Sequence, residues 1–167
     1  MRSMQLVGLV LVVAMGVGFH SSKAEAVTAW SAIAAGCVPV ETFGVNVAAG
    51  AVIAGSGTTV TLYCSIPGNA LTGGFNHIEI TYKGRGAPDV STTAELIQMS
   101  KATGLEDVMC GIQGKGSDII TTENNVCGHS GLDFDNNFVY VRIVLKSGNF
   151  IQQLQTIYGT SLTTGSL

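Results

Sequence analysis

Charge, proline and tryptophan are scarce in this chain. Charged residues make up 11% of its 167 positions, and it contains 3 prolines and 1 tryptophan. The 8 lysines and arginines are scattered and form no run. Nucleic acids and anionic membrane surfaces are bound by clustered basic residues. The composition therefore excludes both as expected partners.

Long hydrophobic runs are also missing after the first residues. The apolar stretch 6–19 is shorter than the roughly 20 residues that a membrane-spanning helix needs. It is preceded by Arg2 and followed by Ala-Glu-Ala at 24–26, an order typical of a secretory signal peptide. We therefore expect residues 1–26 to be removed on export. The remaining protein is predicted to be secreted or periplasmic, without stable membrane insertion.

The remaining chain has the length of one ordinary domain and shows no internal linker. Residues 27–36 are small and apolar and have no clear periodicity, which predicts an N-terminal arm. Residues 37–167 are predicted to form a single folded domain.

Two-residue alternation of apolar and polar side chains dominates this domain, and helical periodicity is almost absent. The clearest segments are 59–66, 77–83 and 138–145. Such alternation is typical of half-buried strands in antiparallel sheets. The residues expected to point inward are Val60, Leu62, Cys64, Ile66, Ile78, Ile80, Tyr82, Val139, Val141, Ile143 and Leu145. Weaker candidate strands lie at 37–41, 45–48, 50–54, 90–99, 107–113, 118–122 and 150–161.

Glycine-rich turns separate these segments at short intervals, which favours roughly eight to ten strands. The fold class predicted is all-β, a single antiparallel β-sandwich or jelly-roll-like domain. Ser-Gly-Asn at 147–149 gives the clearest hairpin signal, and it is expected to join a strand at 137–146 to one at 150–161.

The four cysteines, Cys37, Cys64, Cys110 and Cys127, are predicted to form two disulfides, because an exported protein folds under oxidising conditions. They contain no Cys-x-x-Cys spacing, which argues against a zinc ribbon or a redox-catalytic pair. Three pairings are open. We favour Cys37 with Cys64 and Cys110 with Cys127, since closing short loops costs the least chain entropy.

A polar stretch before the last clear strand has two interpretations. Asp133, Asp135 and Asn137 stand at the first, third and fifth positions of a calcium-loop pattern. Phe138 occupies the sixth position, where an EF-hand has glycine, and the rest of that motif is absent. The favoured interpretation is a turn in which Asp and Asn side chains bond their own backbone. Calcium is the weaker alternative, and no other cofactor is expected.

No arrangement of residues predicts catalysis. Ser130, His129 and Asp133 could be assembled into a triad, but no Gly-x-Ser-x-Gly elbow surrounds the serine. The carboxylates available for glycoside hydrolysis form no distinguishable pair; they are Glu79, Glu95, Glu106, Asp107 and Asp133. A secreted hydrolase is therefore the least favoured of the functions considered.

Three aromatic residues, Tyr63, Phe138 and Tyr140, fall on the strand faces opposite the aliphatic residues. If that face is solvated, the rings can form a ligand-binding strip, because exposed rings are common stacking platforms for sugars. If a second sheet or a second copy covers it, the rings belong to a core or an interface. The covered arrangement is the favoured expectation.

Several segments resemble a group of small secreted bacterial proteins. They are Gly-Cys-Val-Pro at 36–39, Val-Thr-Leu-Tyr-Cys at 60–64, Ile-Glu-Ile-Thr-Tyr at 78–82, and the stretches 132–142 and 158–162. The resemblance implies a compact disulfide-bonded β-domain. It brings no activity with it and identifies no functional residue.

The function predicted is a secreted, non-catalytic binding or surface module for a glycan or a cell-surface protein. The alternative is a structural subunit of a surface or filamentous assembly, in which the arm 27–36 adds to an exposed sheet edge. A homo-oligomer is compatible with either function.

Overall fold

The computed structural model describes residues 27–41, 43–71, 74–84, 90–127, 132–150 and 153–164. The predicted signal peptide, His129 and Ser130 lie outside these ranges. No helix within the ranges is long and apolar enough to cross a membrane. The described elements are β1 (Val27–Ile33), a 3₁₀ turn (Ala34–Gly36), β2 (Val38–Pro39), β3 (Val45–Ala48), β4 (Ala51–Ala54), β5 (Thr59–Ser65), β6 (His77–Gly84), β7 (Ser91–Ser100), β8 (Glu106–Gln113), β9 (Ser117–Val126), β10 (Asn137–Lys146) and β11 (Gln155–Thr164).

These 11 strands form two antiparallel sheets that pack face to face. Sheet A has the order β3-β4-β11-β6-β9, and β1 also pairs with β11. Sheet B has the order β2-β5-β10-β7-β8. The predicted all-β sandwich is confirmed.

The core lies between the sheets and is built from the residues that alternation assigned to the inner faces. Leu62, Ile80, Tyr82, Val141 and Ile143 are all 0% exposed. Because successive strand residues point to opposite faces, each sheet buries one row and leaves the other on the outside. The phase of the pattern in β5, β6 and β10 therefore predicts the orientation of both sheets correctly.

The disulfides join Cys37 to Cys64 and Cys110 to Cys127, the pairing favoured by the sequence. Cys37 follows the 3₁₀ turn, where the chain passes from β1 in sheet A to β2 in sheet B. Cys110 lies on β8, an edge of sheet B, and Cys127 follows β9, an edge of sheet A. The first disulfide therefore ties the passage between the sheets to β5, and the second joins an edge of sheet B to an edge of sheet A.

Residues 27–33 are not a separate arm, since they form β1 and pair with β11. Trp30 is 8% exposed and belongs to the core, and Ala34 in the following turn is fully buried. A Cβ on Gly159 would lie 2.6 Å from the carbonyl oxygen of Ala32, so β1 approaches β11 closely where that residue has no side chain. Ala29 and Ala32 are half-buried against the core.

The hairpin predicted at 147–149 is wrong, because β10 belongs to sheet B and β11 to sheet A. Ser147 is buried at the crossing between the sheets. Its hydroxyl donates to the Ala54 carbonyl at 2.9 Å and accepts from the Gln155 backbone N–H at 2.9 Å. These bonds anchor the connection to sheet A, so the chain changes sheets where the turn signal predicted a return to the same sheet.

Candidate functional site

The candidate site is a groove on the outer face of sheet B, with a volume of about 630 Å³. Tyr63 on β5 and Phe138 and Tyr140 on β10 all line it. Phe138 is 54% exposed. Among the described residues no second layer covers this face. The sequence favoured a face covered by a second sheet or a second copy. No second sheet lies over the three rings in the described part of the chain, and cover by a second copy stays a prediction.

Strand register brings the two tyrosines together. Tyr63 pairs with Arg142 and Ser65 pairs with Tyr140, so the tyrosines are diagonal neighbours on adjacent strands. Their ring centroids are 5.2 Å apart with an interplanar angle of 80°, an edge-to-face contact that aromatic quadrupoles favour. Ile97 lies opposite Tyr140 on β7 and is fully buried although it belongs to the outer row. Part of the outer face beside Tyr140 is therefore packed under neighbouring side chains.

A charged network borders the tyrosines. Arg142 donates to Glu95 Oε2 from Nε at 3.1 Å and from Nη2 at 2.8 Å. Its Nη1 donates to Glu106 Oε2 at 2.8 Å, and the Tyr140 hydroxyl donates to Glu106 Oε1. Hydrogen bonding to Glu95, more than any other contact, raises the pKa of Arg142. Partial burial, followed by the bond to Glu106, raises the pKa of the Tyr140 phenol.

Lys101 also lines the groove, in the turn between β7 and β8. Its ammonium donates to the carbonyl oxygens of Phe134 at 2.7 Å and Asp135 at 2.8 Å. The same nitrogen lies 5.4 Å from the ring centroid of Phe138, within the range of a cation–π contact. An ammonium has three N–H donors, so one of them has no protein partner within the described part of the chain.

The predicted calcium residues form a turn at the end of this groove. Asp133 Oδ1 accepts from the backbone N–H groups of Asp135 at 3.0 Å and Asn136 at 3.1 Å, and Oδ2 accepts from the Asn136 side chain at 2.8 Å. Asn137 Nδ2 donates to the Asp133 carbonyl at 3.1 Å. Bonding from Asn136 lowers the pKa of Asp133. These contacts match the turn interpretation.

Within the ranges described, no three His, Cys, Asp or Glu side chains are grouped as metal ligands. Calcium at Asp133, Asp135 and Asn137 therefore remains a prediction without a further observation to support it.

Lys101 and Phe134 were not identified from the sequence, and Glu95 and Glu106 were named only among carboxylates that form no distinguishable pair. They come from β7, β8 and the two loops beside them, so only the tertiary fold brings them to β10. One signal was available, since Arg142 shares the outer face with Phe138 and Tyr140 by simple alternation. An arginine in that row predicts acidic partners on neighbouring strands.

The groove combines three kinds of contact. The rings offer apolar surface, Glu106 offers acceptors and Lys101 offers a donor. Arg142 and Glu95 do not line the groove and act on it through the bond from Arg142 to Glu106. This mixture suits a polyhydroxylated ligand with apolar C–H groups.

No family model matches the chain, and no curated protein matches it in sequence. Several solved structures resemble the fold. A family two carbohydrate esterase from Cellvibrio japonicus matches at a TM-score of 0.45 and 9% identity, over 84% of this chain and 34% of that chain. This chain thus spans about a third of the length of the esterase.

A xylan-binding module, CBM15, matches at a TM-score of 0.45 and 12% identity, over 85% of this chain and 99% of that one. The CBM22-1 and GH10 modules of endo-1,4-β-D-xylanase 10B from Clostridium thermocellum match at a TM-score of 0.48 and 10% identity. The match covers 81% of this chain and 27% of that chain. Likeness at these identities concerns the fold alone, and the functional argument rests on the groove.

Proposed function

We propose that this protein is a secreted, non-catalytic carbohydrate-binding module that holds a glycan chain in the groove on sheet B. The observation that carries the proposal is the solvated row of Tyr63, Phe138 and Tyr140, bordered by charged side chains. Leaving aromatic side chains in contact with water costs free energy. A groove that gathers several of them therefore marks a binding site.

Sugar rings fit this groove because a sugar, like the groove, presents both apolar and polar groups. One face of a pyranose presents C–H groups, which gain free energy when an aromatic ring removes them from water. Phe138 is the main platform in this proposal, because it is 54% exposed whereas both tyrosines are partly buried. The tyrosines supply the floor against which the next sugar unit rests.

Hydroxyl groups at the sugar edge require fixed donors and acceptors. Glu95 and Glu106 are held by Arg142, and Lys101 is held by the turn carbonyls. Side chains that are ordered before binding lose less conformational entropy when the ligand arrives. The network thus supports recognition through preorganisation, with the remaining N–H of Lys101 as a donor to a sugar oxygen.

The cellular location follows from the disulfides. Two disulfides are typical of proteins that fold outside the reducing cytosol. We infer that residues 1–26 act as the export signal and that the mature domain begins near β1, with its outer faces presented to the medium or the periplasm.

Sheet edges argue against the assembly-subunit alternative. β2 has two residues and ends in Pro39, and beyond it Glu41 Oε2 accepts the Thr61 backbone N–H at 2.7 Å. On β9, Glu123 accepts from the Tyr82 hydroxyl and so occupies the inner face of an edge strand. Short edges, proline and inward charges hinder strand addition, and β1 already pairs with its own β11.

A glycan-array screen of the purified mature protein, run with calcium and again with chelator, tests the proposal. We expect binding to neutral polysaccharide chains. Binding that chelator abolishes would add calcium at Asp133, Asp135 and Asn137, and binding that survives chelator would leave the module without the metal. An array on which nothing binds contradicts the proposed function.

The variant Phe138→Ala then assigns the binding to the groove. Calorimetric titration with the array's best oligosaccharide should give an affinity at least tenfold weaker, because losing one stacking platform costs about 1.4 kcal/mol or more. Phe43→Ala is the matched control, since Phe43 is 87% exposed and lies outside the groove. Equal affinities of the two variants would place the glycan elsewhere.

A further inference from the structure

We propose that the sandwich carries a second glycan-binding groove on the outer face of sheet A, so that one molecule holds two glycan chains. This inference rests on the proposed function of the groove on sheet B. The second groove has a volume of about 520 Å³ and is lined by β4, β6, β9 and β11. Tyr158 is its aromatic residue.

A β-bulge directs Tyr158 to this groove. The register between β11 and β6 shifts between Ile157 and Gly159, which leaves Tyr158 as an additional residue on β11. A bulge alters the direction of the side chain it carries, and bulges are frequent next to binding sites. Gly159 makes this irregularity compatible with β1, since a Cβ there would lie 2.6 Å from the Ala32 carbonyl oxygen.

A second backbone irregularity borders the same groove. Ala49 has a φ of 50° in the turn between β3 and β4, a left-handed conformation in which glycine or asparagine is the ordinary residue. Ala48, Ala49 and Ala51 all line the groove. This is the conformation that the two-residue hairpin turn Ala49-Gly50 requires, because Ala48 pairs with Ala51 across it. The small methyl groups also leave the side of the groove open above Tyr158.

The polar side chains in the groove indicate the same ligand class as in the first groove. Lys83 and Asp118 are exposed and of opposite charge, and Ser117 and Thr156 add hydroxyl groups. Because the two charges are of opposite sign, the groove does not favour a charged ligand, and Lys83, Ser117 and Thr156 supply its donors and hydroxyl acceptors. One aromatic ring among balanced polar groups fits a neutral saccharide chain.

The two grooves open on opposite sides of the molecule. Packed sheets lie about 10 Å apart, and the grooves lie on the outer faces of different sheets, so a short oligosaccharide cannot occupy both. Two bound chains on one protein give crosslinking and an avidity gain on a polysaccharide surface.

Stoichiometry tests this inference. Calorimetric titration of the mature protein with xylohexaose or mannohexaose should give two sites per molecule. Tyr158→Ala and Phe138→Ala should each leave one site, and the double variant should leave none. Phe150→Ala is the control, because Phe150 is 66% exposed and lines neither groove, and it should keep two sites.

The outcomes separate the two proposals. One site in the native protein, lost in Phe138→Ala and kept in Tyr158→Ala, overturns the second groove and leaves the first intact. Binding to neither hexasaccharide, with a blank glycan array, overturns the proposed function itself.

A second measurement keeps the inference testable if Tyr158→Ala does not fold. Lys83 is exposed and has no part in the core, so Lys83→Met should fold and weaken only the second site. Mixed with long soluble xylan or mannan, the native protein should crosslink the polymer into large particles visible by light scattering. Phe138→Ala and Lys83→Met should crosslink less, and undiminished crosslinking by both variants contradicts the inference.

Discussion

Arg142 and Glu95 face each other across adjacent strands of sheet B, and two guanidinium N–H groups bind one carboxylate oxygen of Glu95. The third contact of Arg142, to Glu106, continues to the hydroxyl of Tyr140. An arginine therefore fixes the acidic side of the groove and, through Glu106, the orientation of an aromatic residue in its floor.

Replacing Glu106 with glutamine should lower the pKa of Tyr140 toward its ordinary value of 10.0. Partial burial, which is the larger cause of the raised pKa, remains in this variant, but the carboxylate that stabilises the protonated phenol is gone. Tyrosinate absorbance followed during an alkaline titration measures the change, and Tyr140→Phe identifies which part of the signal is Tyr140.

The raised pKa of Tyr140 also makes the stability of the fold depend on pH. A phenol whose folded-state pKa lies above 10.0 stabilises the fold below that pH, and the contribution is lost as the pH rises through the folded-state value. The native protein should therefore lose more unfolding free energy than Glu106→Gln above pH 10.0. Identical alkaline profiles of the two proteins would contradict this expectation.

Alternation predicted which face each strand buries but did not predict which strands pair. The rows containing Leu62, Ile80 and Ile143 are buried as expected. The connection at 147–149 has the local chemistry of a hairpin, yet Ser147 bonds to Ala54 and Gln155 in the other sheet. Hydrogen bonds between residues so far apart in the chain produce no periodic pattern in the sequence.

The candidate site was predictable only in its aromatic part. Alternation places Tyr63, Phe138 and Tyr140 on the outer faces of their strands, and the pairing of β5 with β10 then brings Tyr63 to the other two. Glu106 and Lys101 reach the groove from segments distant along the chain. In a sequence, a charged residue of a binding site looks the same as a charged residue that is only solvated.

Asp133 should stabilise the turn beside the groove in a pH-dependent way. Bonds from Asn136 lower the pKa of its carboxyl group below the ordinary 3.8. A lowered folded-state pKa stabilises above the unfolded-state value, and that contribution is lost as the pH falls through the folded-state value. Asp133→Asn should therefore be less stable than the native protein at neutral pH, and the difference should shrink below pH 3.8. Urea unfolding at both pH values measures it, and a constant difference would contradict it.

Gly84→Ala should destabilise the core by about 1–3 kcal/mol, the usual cost of overpacking. An added Cβ would overlap the side-chain amide of Gln155, which is 2% exposed and accepts a hydrogen bond from Thr92 at 2.9 Å. Moving that amide would break a buried bond. Gly36→Ala is the control, because its Cβ would meet nothing closer than 3.7 Å. Urea unfolding compares the two, and equal stabilities would contradict the prediction.

Removing either disulfide should lower the free energy of unfolding by about 3 kcal/mol, because each closes a loop in the unfolded chain. The loops span sequence separations of 27 for Cys37–Cys64 and 17 for Cys110–Cys127. The first pair should cost more when both cysteines become alanine, because it closes the longer loop and both sulfur atoms belong to the core. Urea unfolding of the two double variants measures the losses. A reducing agent should destabilise the native protein by less than the two double variants do together, because the reduced chain keeps its buried sulfur atoms. A loss below about 1 kcal/mol for either pair would contradict the prediction.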